Sequence, residues 1–339
     1  MKAIKFFAIT AMAAAMITSC SNEDELSQSN YPSDNIIRIT AGVNNAKTRA
    51  EGAGVTQLEK PLSLTVVNKN SENDVLAKKY THVGKVFTKD DNGVWKCSET
   101  LLWQNSETPV DIVAFAPAVD NNPFANVYDK ETRKFSSFSY SVAANQSSTE
   151  SDNNDLLYYY AQNIKPEKEL VDGKLSIQMN HAFCMIDINV TLGTEFNVSG
   201  VPSASPITEV TLGGTITEAN VNVTNGTDKV TANTAAAAKD ITATKGEFET
   251  PADNDKEKSC ISHFSCITVP QNVAAKTFKV SLKTAGKLYE WTSEAAVELK
   301  SGYRYTLNLS MGNDVVLLKG GSITATEWKP GTGGSLETD

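Results

Sequence analysis

The sequence predicts an all-β protein built from two β-sandwich domains. Short runs rich in Val, Ile, Thr and Tyr recur along the chain with Gly, Asn or Pro between them, which is how sandwich strands and their turns read. No helical period is sustained over several turns. The longest periodic stretch, Lys174–Leu192, changes phase in its middle. Leu175, Ile177 and Met179 share one face, and Ile186, Ile188 and Val190 share the other. A slip of one residue turns side chains to the opposite face. Near Ala182–Met185 the strand therefore either bulges or leaves one core and enters another. The second option divides the chain near Asn180 into domains at 36–180 and 181–339.

In chain order, Lys2 and Lys5 open a basic start, and Phe6–Met16 is apolar. A basic start, a short apolar core and small residues before a cut form a secretory signal, here 1–19. The run falls short of the roughly 20 residues needed to span a bilayer. Ile17-Thr18-Ser19-Cys20 resembles a bacterial lipobox, in which small residues precede an acylated Cys. That resemblance implies a mature chain starting at Cys20 and tethered to the outer membrane through lipid. Several acyl chains, at about 0.8 kcal/mol per buried CH₂, hold effectively permanently. The acidic run Ser21-Asn22-Glu23-Asp24-Glu25 resembles the surface-export signal of Bacteroidetes lipoproteins, and 20–35 otherwise reads as a polar linker.

Removing residues 1–19 removes two lysines and no acids, so the formal net charge goes from -9 to -11. Such a surface argues against nucleic acid or an anionic membrane face as partner. Four cysteines remain, Cys97, Cys184, Cys260 and Cys266, with no C-x-x-C and no zinc spacing. Cys184 and Cys266 sit in apolar runs, where buried thiols are common. An exported chain also admits one disulfide, whose pair the spacing does not choose.

Ile36–Val43 alternates, with Ile37, Ile39, Ala41 and Val43 on one face and Arg38 and Thr40 on the other, and reads as a half-buried strand. Asn44–Gln57 is a polar loop containing Lys47-Thr48-Arg49-Ala50. Pro61–Asn68 is a second strand. Val83–Cys97 reads as a hairpin around Asp90-Asp91-Asn92-Gly93, because Asn-Gly supplies the positive φ of a tight turn. Leu101–Gln104 and Val110–Ala116 continue the strands up to Pro117. Asp120–Gln146 has no clear period and reads as long loops. In Asp155–Ala161, alternation buries Tyr159 and exposes Tyr158 and Tyr160. Further strands follow at Ile207–Leu212, Ile216–Val223, Ser262–Val269, Thr277–Lys283, Leu288–Trp291, Tyr303–Ser310, Val315–Leu318 and Ser322–Trp328. The alanines of Thr234–Lys239 suit a helical turn.

Catalytic and metal-binding signatures are missing from the sequence. There are three histidines, His82, His181 and His263, and no H-E-x-x-H, G-x-S-x-G or P-loop. His181 shares a face with Met179 and Phe183 and reads as a satisfied core or interface histidine; His263 reads likewise. Asp90-Asp91-Asn92 and Asp152-Asn153-Asn154-Asp155 lack the glycine and distal glutamate of an EF-hand, so turn chemistry is the better reading. No carboxylate pair stands out for glycoside hydrolysis. The expectation is a non-enzyme that needs no cofactor.

Weak landmarks then occur in order: the lipobox, a first strand ending at Thr48-Arg49-Ala50, Trp103, Val113-Ala114-Phe115-Ala116-Pro117, Asp155-Leu156-Leu157-Tyr158, Leu175–Ile188 with His181 inside it, Leu299–Leu309, and Ile323–Trp328. Together they resemble the fimbrillin family of Bacteroidetes lipoproteins, subunits of FimA/Mfa-like pili. The resemblance implies two transthyretin-like antiparallel sandwiches and assembly outside the cell into fimbriae that serve adhesion. The alanine run and the tail from Pro330 are outside it.

The polar loop around Arg49 is open to a protease. An arginine-specific protease cutting between Arg49 and Ala50 severs the first strand from its domain, and the resemblance implies that this cut is the maturation step. Loss of the strand leaves unpaired backbone and an apolar slot, which an extended segment of another subunit fills by strand addition. The candidate donor is Asp314–Trp328, carrying Val315, Val316, Leu317, Leu318, Ile323 and Trp328. The alternatives are a non-polymerising surface lipoprotein that binds glycan or a host protein, and a β-sandwich hydrolase.

Overall fold

Val110–Ala116 is buried along its whole length, as is its neighbour Leu62–Asn68. A strand covered on one face shows alternation; continuous burial means cover on both. Ile112, Ala114 and Ala116 enter one apolar core, while Val113 and Phe115 enter a second. In this computed structural model, residues 30–44, 56–118, 123–148, 155–224, 229–318 and 323–328 are described.

The chain is almost entirely β. Nine strands form the first sheet. In spatial order they run Thr56–Gln57, Ile39–Val43, Lys174–His181, Leu157–Ile164, Val110–Ala116, Leu62–Asn68, His82–Lys89 and Trp95–Cys97, with Leu170–Val171 added beside Lys174–His181. A second sheet runs Thr244–Glu249, Ile261–Thr268, Cys184–Leu192, Tyr303–Met311 and Val316–Leu318, with Thr324–Glu327 also on Tyr303–Met311. A third orders Ile241–Thr242, Ile207–Gly213, Lys279–Thr284 and Leu288–Thr292. The wholly buried Ile186, Ile188, Val190, Val210, Leu212, Val280 and Leu282 fill the core these strands share, each burial worth roughly 1.5–3 kcal/mol against an exposed side chain.

The phase change in Lys174–Leu192 is a change of sheet. Lys174–His181 buries Leu175, Ile177, Met179 and His181; Cys184–Leu192 buries Cys184, Ile186, Ile188, Val190 and Leu192. Ala182 and Phe183 carry the chain from one sheet to the next, both fully buried. The hairpin also forms as read. His82–Lys89 pairs with Trp95–Cys97, Asp90 accepts the Asn92 and Val94 amides through Oδ1, and Gly93 takes a φ of 78°.

Four expectations are corrected. The sheets are not purely antiparallel: Ile39–Val43 lies parallel to Lys174–His181, and Cys184–Leu192 parallel to Tyr303–Met311. Asp120–Gln146 is not all loop. Tyr128–Asp129 pairs with Lys134–Phe135, and Phe138–Ser141 pairs with Glu218–Val221, a strand of the other half of the chain. Aromatic packing compensates for the missing apolar period, with Phe124 stacked on Phe115 at 4.7 Å and Phe138 edge-on to Phe115 at 5.1 Å. The alanine run is a turn with an isolated bridge between Ile216 and Ala238. Four residues do not repay helix nucleation, and the Asn233 side chain takes the Ala235 amide instead. Tyr158 and Tyr160 are not exposed beside Tyr159; they pack on the second core while Tyr159 packs on the first sheet's own core.

Candidate functional site

The first strand is the element whose surroundings suit exchange. Ile37, Ile39 and Val43 are buried in the first sheet's core with Leu175, Ile177 and Met179. Its inner edge is fully paired: Ile39 to Val43 run in register with Leu175 to Met179, and the Asn44 amide donates to Met179 O at 2.9 Å. Its outer edge is not. There the Ile37 amide donates to Leu101 O, Ile36 bridges Leu102, and only Gly42 and Val43 meet Gln57 and Thr56. Among the described residues, Ile39 to Ala41 have no strand partner on that side.

The entry to the strand is clamped. Asp34 accepts from both Arg38 terminal nitrogens, at 2.9 and 2.6 Å, and from the Ile36 amide at 3.0 Å. The Arg38 hydrogen bonds first, and the Ile36 amide next, hold the Asp34 carboxyl at about 2.

Along the open edge runs a groove of about 490 Å³ between Ile39–Ala41 and the outermost strand of the sheet, with Trp95 on the far wall. Arg38, Lys89, Lys96 and Lys174 line it. Three of these cations are paired locally, Arg38 to Asp34, Lys89 to Glu59 at 2.7 Å and Lys96 to Asp90 at 2.7 Å. Sequence reasoning did not anticipate this groove. It joins residues more than fifty positions apart, and only the strand order brings them together.

The candidate donor lies in its own second sheet. Val316–Leu318 pairs with Leu309–Met311, and Thr324–Glu327 with Tyr303–Thr306, all antiparallel to one strand. Val316, Ile323 and Trp328 are buried, Leu318 packs on the core, and Val315 and Leu317 are 50% and 59% exposed. Trp328 stacks on His181 with ring centroids 3.5 Å apart, and its amide donates to Gly302 O. His181 is buried, and its Nδ1 bonds Asp155 Oδ2 at 2.6 Å. Cys20, Arg49 and Ala50 lie outside the described residues.

His263 bridges Asn189 through Nδ1 at 2.7 Å and Glu249 through Nε2 at 3.0 Å, a cross-strand ladder with no nucleophile in it. Cys97, Cys184, Cys260 and Cys266 are free thiols. Burial, with a smaller contribution from Asp187, pushes Cys266 up to about 12, and burial raises Cys184 and Cys260. Among the described residues, no three His, Cys, Asp or Glu side chains converge to hold a metal ion.

Comparison with known proteins gives the family. A model of the fimbrillin-like family matches residues 48–328. No curated protein sequence matches the chain significantly. Among solved structures, a Bacteroides ovatus protein suspected of a role in cell adhesion is similar with a TM-score of 0.61 and 14% identity, over 86% of this chain and 97% of that one. A Bacteroides uniformis protein described in the same terms has a TM-score of 0.55 and 15% identity, over 88% and 100%. A fimbrial protein of Bacteroides vulgatus has a TM-score of 0.50 and 13% identity, over 86% and 99%. At these identities the structures speak to the fold, while the family model spans most of the sequence, beginning after the first strand and including the candidate donor Asp314–Trp328. The chain belongs to the fimbrillin-like family.

Proposed function

We propose that this chain is a cell-surface fimbrial subunit that serves adhesion and not catalysis. It is tethered to the outer membrane through lipid on Cys20 and assembles with other fimbrial subunits by strand exchange. An arginine-specific protease cuts between Arg49 and Ala50, between the first strand and Thr56–Gln57. The released strand, centred on Ile39–Val43, leaves a slot beside Lys174–His181. Asp314–Trp328 of a neighbouring subunit fills it, with alternate side chains entering the pockets of Ile37, Ile39 and Val43. The two transthyretin-like domains of this reading meet near Asn180, where the chain passes from the first sheet to the second.

The observation that carries the reading is the first strand itself. It is apolar on its inward face and parallel to its neighbour, and its outer edge is open at Ile39 to Ala41. An edge of this kind attracts another strand. The donor's position supports the second half of the mechanism, because Val316–Leu318 and Thr324–Glu327 are held by a single partner strand at the edge of their sheet.

Arg49→Ala protein, treated with an arginine-specific protease, is expected to remain full-length and monomeric while wild type forms SDS-resistant ladders. Filaments from Arg49→Ala protein as abundant as those from wild type would show the strand-replacement mechanism to be wrong.

A further inference from the structure

A second cleft, of about 470 Å³, lies on the side of the first sheet away from the first strand. Its volume falls within the range of small-molecule sites. Three aromatic rings form one wall. Tyr128 meets Phe135 edge-on at 4.9 Å, and Phe135 meets Tyr160 edge-on at 6.3 Å. Lys229 Nζ stands 5.9 Å from the centre of the Tyr160 ring. Across from the rings lies Asp111, 4% exposed. Its Oδ2 is paired with Lys69 Nζ at 2.8 Å, and its Oδ1 accepts the Asn163 amide at 3.0 Å.

Two features set this cleft apart from an ordinary surface depression. First, Asn68 in its lining is 1% exposed, and its Nδ2 has no hydrogen-bond partner among the described residues. Its Oδ1 is satisfied by the Asn70 amide at 2.9 Å. A buried N–H pair without an acceptor is costly, and because the atom is covered, a ligand oxygen relieves that cost only where the lining shifts to admit it. Second, the charge is reversed relative to the whole molecule. Lys69 and Arg133 share the lining with one carboxylate, Asp111, and Lys229 stands over the Tyr160 ring at its margin, on a chain of net charge -9. Arg133 donates through Nη2 to Asn70 O at 3.1 Å and stands 3.8 Å from Asp74. A guanidinium has five N–H donors, so capacity remains for an anion.

We infer that this cleft is a saccharide subsite for a pyranose unit carrying an acidic group. The Tyr160 ring offers apolar surface to the C–H face of a sugar ring, and Gln162 offers its amide group to the hydroxyls. Arg133 and Lys229 supply the charge complement for the acidic substituent. The cleft is assigned to binding: among the described residues Asp111 is the one carboxylate in its lining, both its oxygens are occupied, and glycoside hydrolysis takes two. The assignment goes beyond the fimbrial reading and does not depend on polymerisation, so it is tested on the monomer.

Isothermal titration of the full mature chain with tetragalacturonate, 3′-sialyllactose, 6′-sulfolactose and lactose separates the sources of the acidic group. At least one acidic sugar is expected to bind at least tenfold more tightly than lactose. Lys229→Gln and Tyr160→Leu are each expected to weaken that binding at least tenfold. The Lys229 change removes a half-exposed charge and leaves both cores intact, and an unchanged circular dichroism spectrum identifies folded protein. Lys279→Gln, on the third sheet, is expected to leave binding unchanged. Absence of binding by every acidic sugar at millimolar concentration overturns the assignment. So does lactose binding equal to that of the acidic sugars, or full binding by folded Lys229→Gln and Tyr160→Leu proteins.

Discussion

Trp328 lies flat on His181, with planes 5° apart and ring centroids separated by 3.5 Å. One residue directly follows the last described strand, Thr324–Glu327; the other ends the strand that leaves the first sheet. Asp155 fixes the imidazole through Nδ1, and Ser301 donates to the His181 carbonyl at 3.3 Å. The end of the candidate donor is thus pinned at the junction of the two sheets, and any withdrawal of Asp314–Trp328 must first break this stack.

Trp328→Ala is expected to lower the stability of the unassembled chain by about 3 kcal/mol, the usual range for deleting a buried indole. Combining it with His181→Ala is expected to cost about 1 kcal/mol less than the sum, the coupling of a stacked pair. Urea unfolding of the two single variants and the double variant measures both. Strict additivity means that the stack is contact without coupling.

Asp34 is expected to titrate at about 2, because Arg38 and the Ile36 amide bind its charged form. Its unfolded value is about 3.9. A lowered carboxylate contributes stability that is present above the unfolded value and is lost as pH falls through the folded one. Its contribution therefore fades between about pH 4 and pH 2. The pair is exposed, so the effect is small and weakened by salt. Arg38→Gln is expected to return the Asp34 carboxyl carbon shift in NMR titration towards the ordinary range, and a titration unchanged by that substitution contradicts the clamp.

Burial pushes the His82 imidazole below its usual 6.5, against an opposing hydrogen bond in which Nε2 donates to Leu102 O at 2.9 Å. Lys130 and Lys85 push the same way as burial, and Glu99 opposes them. A lowered histidine stays neutral in the folded chain, so its contribution is complete above about 6.5 and is lost as pH falls through the lowered value. His82→Gln is expected to flatten the fall in melting temperature below pH 6.5. A fall of equal slope in the variant assigns the pH dependence to other groups.

Of Cys97, Cys184, Cys260 and Cys266, only Cys97 is half-exposed, and the other three are buried with raised thiols. Iodoacetamide at pH 8 is expected to modify Cys97 alone among them in native protein, and all four after denaturation. Rapid native modification of Cys266 would mean that the second sheet opens far more readily than its packing implies.

The chain's own chemistry determined many of the strands, the hairpin turn and the place where the chain changes cores. Alternation in Ile36–Val43, Asn92-Gly93 in the hairpin and the reversed phase at Ala182–Phe183 are local signals, each arising from a side-chain period or a backbone preference. Neighbours were decided elsewhere. Nothing in Ile39–Val43 says that its partner is Lys174–His181 or that the two run parallel, because pairing depends on apolar faces more than a hundred residues apart in sequence. Phe138–Ser141 looked like loop because its period is carried by rings that are satisfied only against Phe115, Phe124 and Glu218–Val221. The two clefts were invisible for the same reason. Lys69 and Asp111 are 42 residues apart, and their pairing opposite Tyr160 exists only after the first sheet has formed. Local periodicity is encoded residue by residue, whereas a site belongs to the strand order, which only the packing of whole faces settles.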